Sequence, residues 1–139
     1  MAKDNTVFVL QRAIKIHRLR VTKDSVKEFL LSHPRYPSLM SLCDGLKKWN
    51  IDHYPLKLSK QEILDLEPPY IAHMGGAKGQ LAFVEKTEDS RVTFLINKKQ
   101  RIVKSASEFS ENLSGGVIVI DPDKKSGESG YREKKKPRL

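Results

Sequence analysis

Apolar side chains fall at helical spacing in the first third of the chain and at strand spacing after it. Val7, Leu10, Ile14 and His17 recur at one helical face, with Asn5 or Thr6 as the capping residue ahead of them. Thr22 opens a second helix with Val26, Phe29 and Leu30 on its inner side. His33-Pro34 closes it, because the residue before proline avoids the helical region. Ser38 opens a third helix whose stripe is Leu39, Leu42, Leu46 and Trp49, flanked by Cys43 and stopped at Asn50.

Beyond Asn50 the period shortens. Ile51 to Leu58 alternates loosely as a strand, and Ser59-Lys60-Gln61-Glu62 is a capping box for a short helix ended by Pro68-Pro69. Tyr70–Met74, Leu81–Lys86, Arg91–Ile96 and a short run near Ile102-Val103 read as strands, separated by turns at 75–79, 88–90 and 97–100. Ser105 to Glu108 opens another short helix carrying Phe109 and Leu113. Ser114-Gly115-Gly116 turns into a last strand, Val117–Ile120. Helices come first and strands afterwards, which predicts an α+β fold with N-terminal helices packed on an antiparallel sheet.

The 139 residues suit one domain, predicted over 1–122, and need neither disulfide nor metal to build a core. Residues 123–139 read as a basic, disordered linker. Seven Lys or Arg against two Glu between Lys124 and Leu139 carry +5 of the net +9. Such a segment suits an anionic surface. With 7% aromatics and no reader motif, nucleic acid ranks below membrane as that surface. The longest apolar runs are too short to cross a bilayer, Met1–Asp4 lacks the apolar core of a secretory signal, and a single cysteine suits a reducing compartment.

Catalytic chemistry is sparse. Cys43, the sole thiol, flanks an apolar stripe inside a helix and precedes Asp44, whereas nucleophilic cysteines favour helix N-termini and cationic neighbours. His17, His33, His53 and His73 form no close-spaced ligand pair, so no metal and no cofactor is expected. His73, at a strand end before the Gly75–Gly79 turn, is the most site-like of them, although a hydrogen-bonded structural role also accounts for it. That turn lacks the spacing of a phosphate-binding loop and leads into a strand rather than a helix.

Pro69-Tyr70-Ile71-Ala72-His73, the Gly-rich turn, Gln80-Leu81-Ala82-Phe83-Val84, Ser105-Ala106-Ser107-Glu108-Phe109 and Gly116-Val117-Ile118-Val119 stand in one order. That order resembles the papain-like, double-glycine leader peptidase domains of bacteriocin-processing ABC exporters. The resemblance implies a papain-like peptidase fold. It also implies a Cys at the start of the first helix, a His opening the strand after the Gly-rich turn, and an Asp ending the next strand. Asn5, Gln80 and Asn97 fall at those positions here, so the resemblance argues for the fold and against the activity. A cleft near Tyr36, His73, Met74, Gln80 and Asn97 would hold an extended peptide.

His33-Pro34-Arg35-Tyr36-Pro37-Ser38-Leu39, the Ser126–Tyr131 segment and the basic run before Leu139 resemble a narrower group. These are inactive peptidase-like domains of Bacteroidetes membrane proteins in the vitamin K epoxide reductase family, which form disulfides. This implies a cytoplasmic domain at the bacterial inner membrane, ahead of membrane helices. Its own membrane domain would be a partner, and Lys134, Lys135, Lys136 and Arg138 would meet the anionic surface. The alternative expectation is an active leader-peptide cysteine peptidase of an ABC exporter, using Cys43.

Overall fold

The computed structural model describes residues 5–75, 80–122 and 126–127. Three helices come first, α1 (Thr6–Ile16), α2 (Lys23–Ser32) and α3 (Leu39–Lys48). They are followed by β1 (His53–Lys57), α4 (Lys60–Leu64), β2 (Tyr70–Met74), β3 (Leu81–Glu88), β4 (Arg91–Leu95), β5 (Arg101–Ser105), α5 (Ala106–Glu111) and β6 (Leu113–Ile120). The six strands form one antiparallel sheet in the order β1-β6-β2-β3-β4-β5. The expected α+β class is the one observed.

The helix caps follow from the sequence. Thr22 and Ser38 accept the backbone N–H groups of Ser25 and Ser41, and Ser59 and Ser105 do the same for α4 and α5. α1 and α3 both end with a residue in the left-handed region, Arg18 at φ 54° and Asn50 at φ 57°. Leu19 N–H returns to Ile14 O and Ile51 N–H to Leu46 O, closing the last turns. At the β3–β4 hairpin, Asp89 and Ser90 take positive φ values of 49° and 61°, the two-residue turn whose twist matches the strands.

Helices cover both faces of the sheet, not one. On one side Val9, Leu10, Ala13, Val26, Leu30, Leu42, Leu46 and Trp49 pack against Ile71, Leu81, Phe83, Leu95 and Ile118. On the other, Ile63 of α4 and Phe109 of α5 pack against Tyr70, Ala72, Val84, Phe94 and Val117. This is why β2, β3 and β4 read as nearly unbroken apolar runs: alternate residues enter different cores. Tyr70 enters the second, where its hydroxyl donates to Ile63 O at 3.3 Å and burial pushes the phenol pKa up to about 12.

Three boundaries differ from expectation. Ile51 is buried and belongs to the helix-side core, with β1 starting at His53. β6 begins at Leu113, four residues before the predicted Val117. Ser114-Gly115-Gly116 is therefore strand: Gly115 sits at φ +105° and its carbonyl accepts from Leu58 N–H at 2.8 Å, a glycine-dependent kink rather than a turn. Ser126 and Gly127, expected in the linker, return to the domain. Ser126 Oγ–H donates to Asn50 O at 3.3 Å, and Gly127 N–H donates to Trp49 O at 2.7 Å.

Candidate functional site

Asn5 links the start of α1 to residues next to Gln80 and Asn97. Asn5 is the N-cap residue of α1, yet its side chain makes no cap bond. It reaches the sheet instead. Its Oδ1 accepts from Leu81 N–H at 2.8 Å, and its Nδ2 donates to Leu81 O at 2.7 Å and Ile96 O at 2.9 Å. The reason lies in the ladder. β3 and β4 pair only from Phe83↔Leu95 outward, so the backbone groups of Leu81 and Ile96 lie beyond its end. One amide, with an acceptor and two donor hydrogens, matches that set. The start of α1 is thereby stitched to residues adjoining Gln80 and Asn97, and Asn5 is only 8% exposed.

The flanking positions have other work. Gln80 O accepts from Met74 N–H at 3.1 Å, which closes the end of the β2–β3 ladder. Asn97 is exposed, and its Oδ1 accepts from Lys99 N–H at 2.8 Å and Gln100 N–H at 3.1 Å, shaping its own turn.

Beside Asn5 lies a cavity of about 260 Å³, walled by Thr6, Pro37, Ser38, Leu39, His73 and Leu81. Of the residues expected around a cleft, His73 lines it. Tyr36 precedes the Pro37 wall and packs onto the helix-side core. Met74, by strand alternation, packs into the opposite core with Tyr70 and Ala72, and so lies outside the cavity. The walls contributed by Thr6, Ser38 and Leu39 were not foreseen. The available signal was Ser38, whose helix-capping role places the start of α3 directly after Pro37.

His73 is oriented by β6. Its Nδ1 lies 2.7 Å from Ser114 Oγ, and the Ser114 hydroxyl donates to His73 O at 3.2 Å. The two contacts to one hydroxyl fix the plane of the ring. Gly116 keeps this corner open: a Cβ there would stand 2.9 Å from Leu39 Cδ1 and 3.7 Å from His73 Cβ.

Cys43 is elsewhere. It is half-buried on α3, packs against the helix-side core, and does not line the cavity. Burial, followed by the Asp44 carboxylate, pushes its thiol pKa up, away from the reactive thiolate. Asp44 itself accepts from His33 Nε2–H at 2.7 Å, and Arg35 N–H donates to His33 Nδ1 at 3.0 Å, so that histidine holds a helix end. Among the described residues no cluster of three His, Cys, Asp or Glu could hold a metal ion. No described helix is long and apolar enough to cross a membrane. Gly76–Gly79 and Lys134, Lys135, Lys136 and Arg138 lie outside the described residues.

No family model matches the chain, and no curated protein matches it in sequence. Solved structures do match in shape. The peptidase domain of Streptococcus ComA, a bifunctional ABC transporter of a quorum-sensing pathway, superposes with a TM-score of 0.72 at 15% identity, over 88% of this chain and 95% of that one. A double-glycine-motif protease of an AMS/PCAT transporter, in complex with its leader peptide, gives 0.76 at 10% identity, over 88% and 87%. The N-terminal C39-like domain of a toxin-secretion ATP-binding protein from Vibrio parahaemolyticus gives 0.67 at 13%, over 88% and 100%.

The chain has the C39 peptidase fold. At these identities the likeness establishes the papain-like architecture and nothing about chemistry.

Proposed function

We propose that this domain binds an extended peptide in the cleft beside Asn5 and does not cleave it. The observation that carries the reading is the Asn5 side chain. It stands at the helix start where the resemblance to leader peptidases implies a nucleophile, and its polar atoms are engaged with Leu81 and Ile96. An amide is no nucleophile. Gln80 cannot take a proton from one, and Asn97 carries no charge to orient a base. A cleft remains. The Leu39 side chain offers apolar contact, and His73 offers one fixed polar group, which suits side-chain recognition along a peptide.

The setting we infer is a cytoplasmic domain of a membrane protein of the vitamin K epoxide reductase family. It would dock on its own membrane portion, with Lys134, Lys135, Lys136 and Arg138 against the anionic leaflet.

Titration with synthetic double-glycine leader peptides, read by amide shifts and by mass spectrometry of the peptide, tests the reading. Shifts at His73, Gln80 and Leu81 with the peptide left intact are expected. An absence of shifts at millimolar peptide would refute the cleft. Cleavage that disappears in Cys43→Ser would restore the peptidase reading through that thiol.

A further inference from the structure

We infer that the end of the domain opposite the cleft is a folded docking surface for anionic phospholipid headgroups. α1 and α3 both start at the cleft, with Thr6 and Leu39 in its wall, and both end at the other pole. Eleven residues of α1 at 1.5 Å each separate the two by about 16 Å.

Three segments meet at this pole. Gln11 of α1 donates to Lys23 O, which ties α1 to the start of α2. Lys48 of α3 lies over the Phe29 ring of α2, 5.3 Å from its centroid. Gly127, bonded to Trp49 O, packs so closely on the α1–α2 loop that a Cβ would stand 3.0 Å from Arg20 Cβ. Lys15, Arg18 and Arg20 come from α1 and its loop, Lys23 and Lys27 from α2, and Lys47 and Lys48 from α3. Asp24, Glu28, Asp44, Asp52 and Asp121 are the acids on these and adjoining segments, so they hold a net +2. None of the seven cations forms an ion pair with a described residue; the bridges of the domain involve Arg12, His33, Lys86 and Arg101.

Ordinary helix physics accounts for only part of this. Lys15, Lys47 and Lys48 lie in last turns, where a cation meets the negative end of the helix dipole. Lys23 lies in the first turn of α2, where the dipole disfavours it. Arg18 occupies a left-handed position at φ 54° that glycine or asparagine would take at less cost. Both are placed against local preference, on segments that meet at this pole. Lipid is favoured over nucleic acid as the partner because Ile16 stands 41% exposed among these cations. Moreover, Trp49 is buried, so this aromatic of the pole is not free to stack on bases. Gly127 also delivers the chain to this pole before the Lys134–Lys136 run.

This surface is independent of the cleft reading, and it extends the membrane-proximal reading from the tail to the folded domain. The experiment is co-sedimentation of the full chain with phosphatidylglycerol–phosphatidylcholine vesicles and with pure phosphatidylcholine vesicles, across a salt series. Three charge-reduced variants go beside the wild type: a pole variant (Lys15→Gln, Arg18→Gly, Arg20→Gln, Lys23→Gln, Lys27→Gln), a sheet-side variant (Lys57→Gln, Lys60→Gln, Lys98→Gln, Lys99→Gln, Lys104→Gln) and a tail variant (Lys134→Gln, Lys135→Gln, Lys136→Gln, Arg138→Gln). Each cation near an anionic leaflet contributes roughly fivefold. The pole variant should therefore lose at least tenfold in partitioning to anionic vesicles, while the sheet-side variant stays within threefold of wild type. Equal losses in those two variants, loss in the tail variant alone, or binding to duplex DNA tighter than to vesicles at the same salt would overturn the proposal. Circular dichroism of each variant separates loss of binding from loss of fold.

Discussion

Replacing Asn5 by alanine removes a side chain that joins α1 to the open end of the β3–β4 ladder. Three hydrogen bonds go, and at 8% exposure little water can replace them. A net contribution of about 1 kcal/mol per bond gives about 3 kcal/mol, with the stranded Leu81 N–H raising the figure and partial relaxation lowering it. Against a total stability of about 5–15 kcal/mol that is a large fraction. Urea denaturation followed by circular dichroism should show the midpoint falling by about 1.5 M, for a slope near 2 kcal/mol per molar. Asn5→Asp sharpens the reasoning. Its carboxylate keeps the acceptor for Leu81 N–H but turns a second oxygen toward the two carbonyls at 2.7 and 2.9 Å. Only the protonated acid can donate there, so the folded state binds the proton more tightly and its pKa lies above the unfolded value. Stability of this variant should then fall as pH rises through about 4 and beyond, opposite to the usual behaviour of a paired aspartate. An alanine variant within 0.5 kcal/mol of wild type, or an aspartate variant that gains stability with pH, would refute the account of Asn5.

Two further outcomes follow from buried groups. Cys43 should react with a disulfide reagent at neutral pH more slowly than a free thiol does. Asp44→Asn should speed it only in part, because burial is the larger cause of the raised thiol pKa and the carboxylate the smaller; stopped-flow absorbance checks both. Tyr70, held near 12 when folded, binds its proton more tightly than in the unfolded chain. Stability should therefore decline as pH climbs from about 10, and Tyr70→Phe should remove that decline in alkaline melts.

Much of the fold was legible because its signals are local. Thr22, Ser38, Ser59 and Ser105 are caps that act within three residues, and each helix start they imply is observed. The alternation of Tyr70–Met74 was read as burial, but not as burial on two faces, since a strand does not announce what will cover each side. Ser114-Gly115-Gly116 reads as a turn by composition and becomes strand because Leu58 and Lys57 pair with it from across the sheet. The cleft was half legible. His73 came from an ordered motif, Gln80 is not in the cavity wall, and the role of Asn5 depends on Leu81 and Ile96, 76 and 91 residues away. Locally an asparagine before a helix means a cap, and that local preference gave way to the unpaired end of a ladder.

The return of Ser126 and Gly127 to the end of α3 also decides how the domain would carry load. Tension arriving along the C-terminal segment meets Trp49 and Asn50 before it meets β6. The first contacts to yield include the Gly127 N–H to Trp49 carbonyl bond and the Ser126 hydroxyl bond, and the sheet is loaded only after them. A pull on that segment is thus borne first by the end of α3 and only afterwards by the sheet.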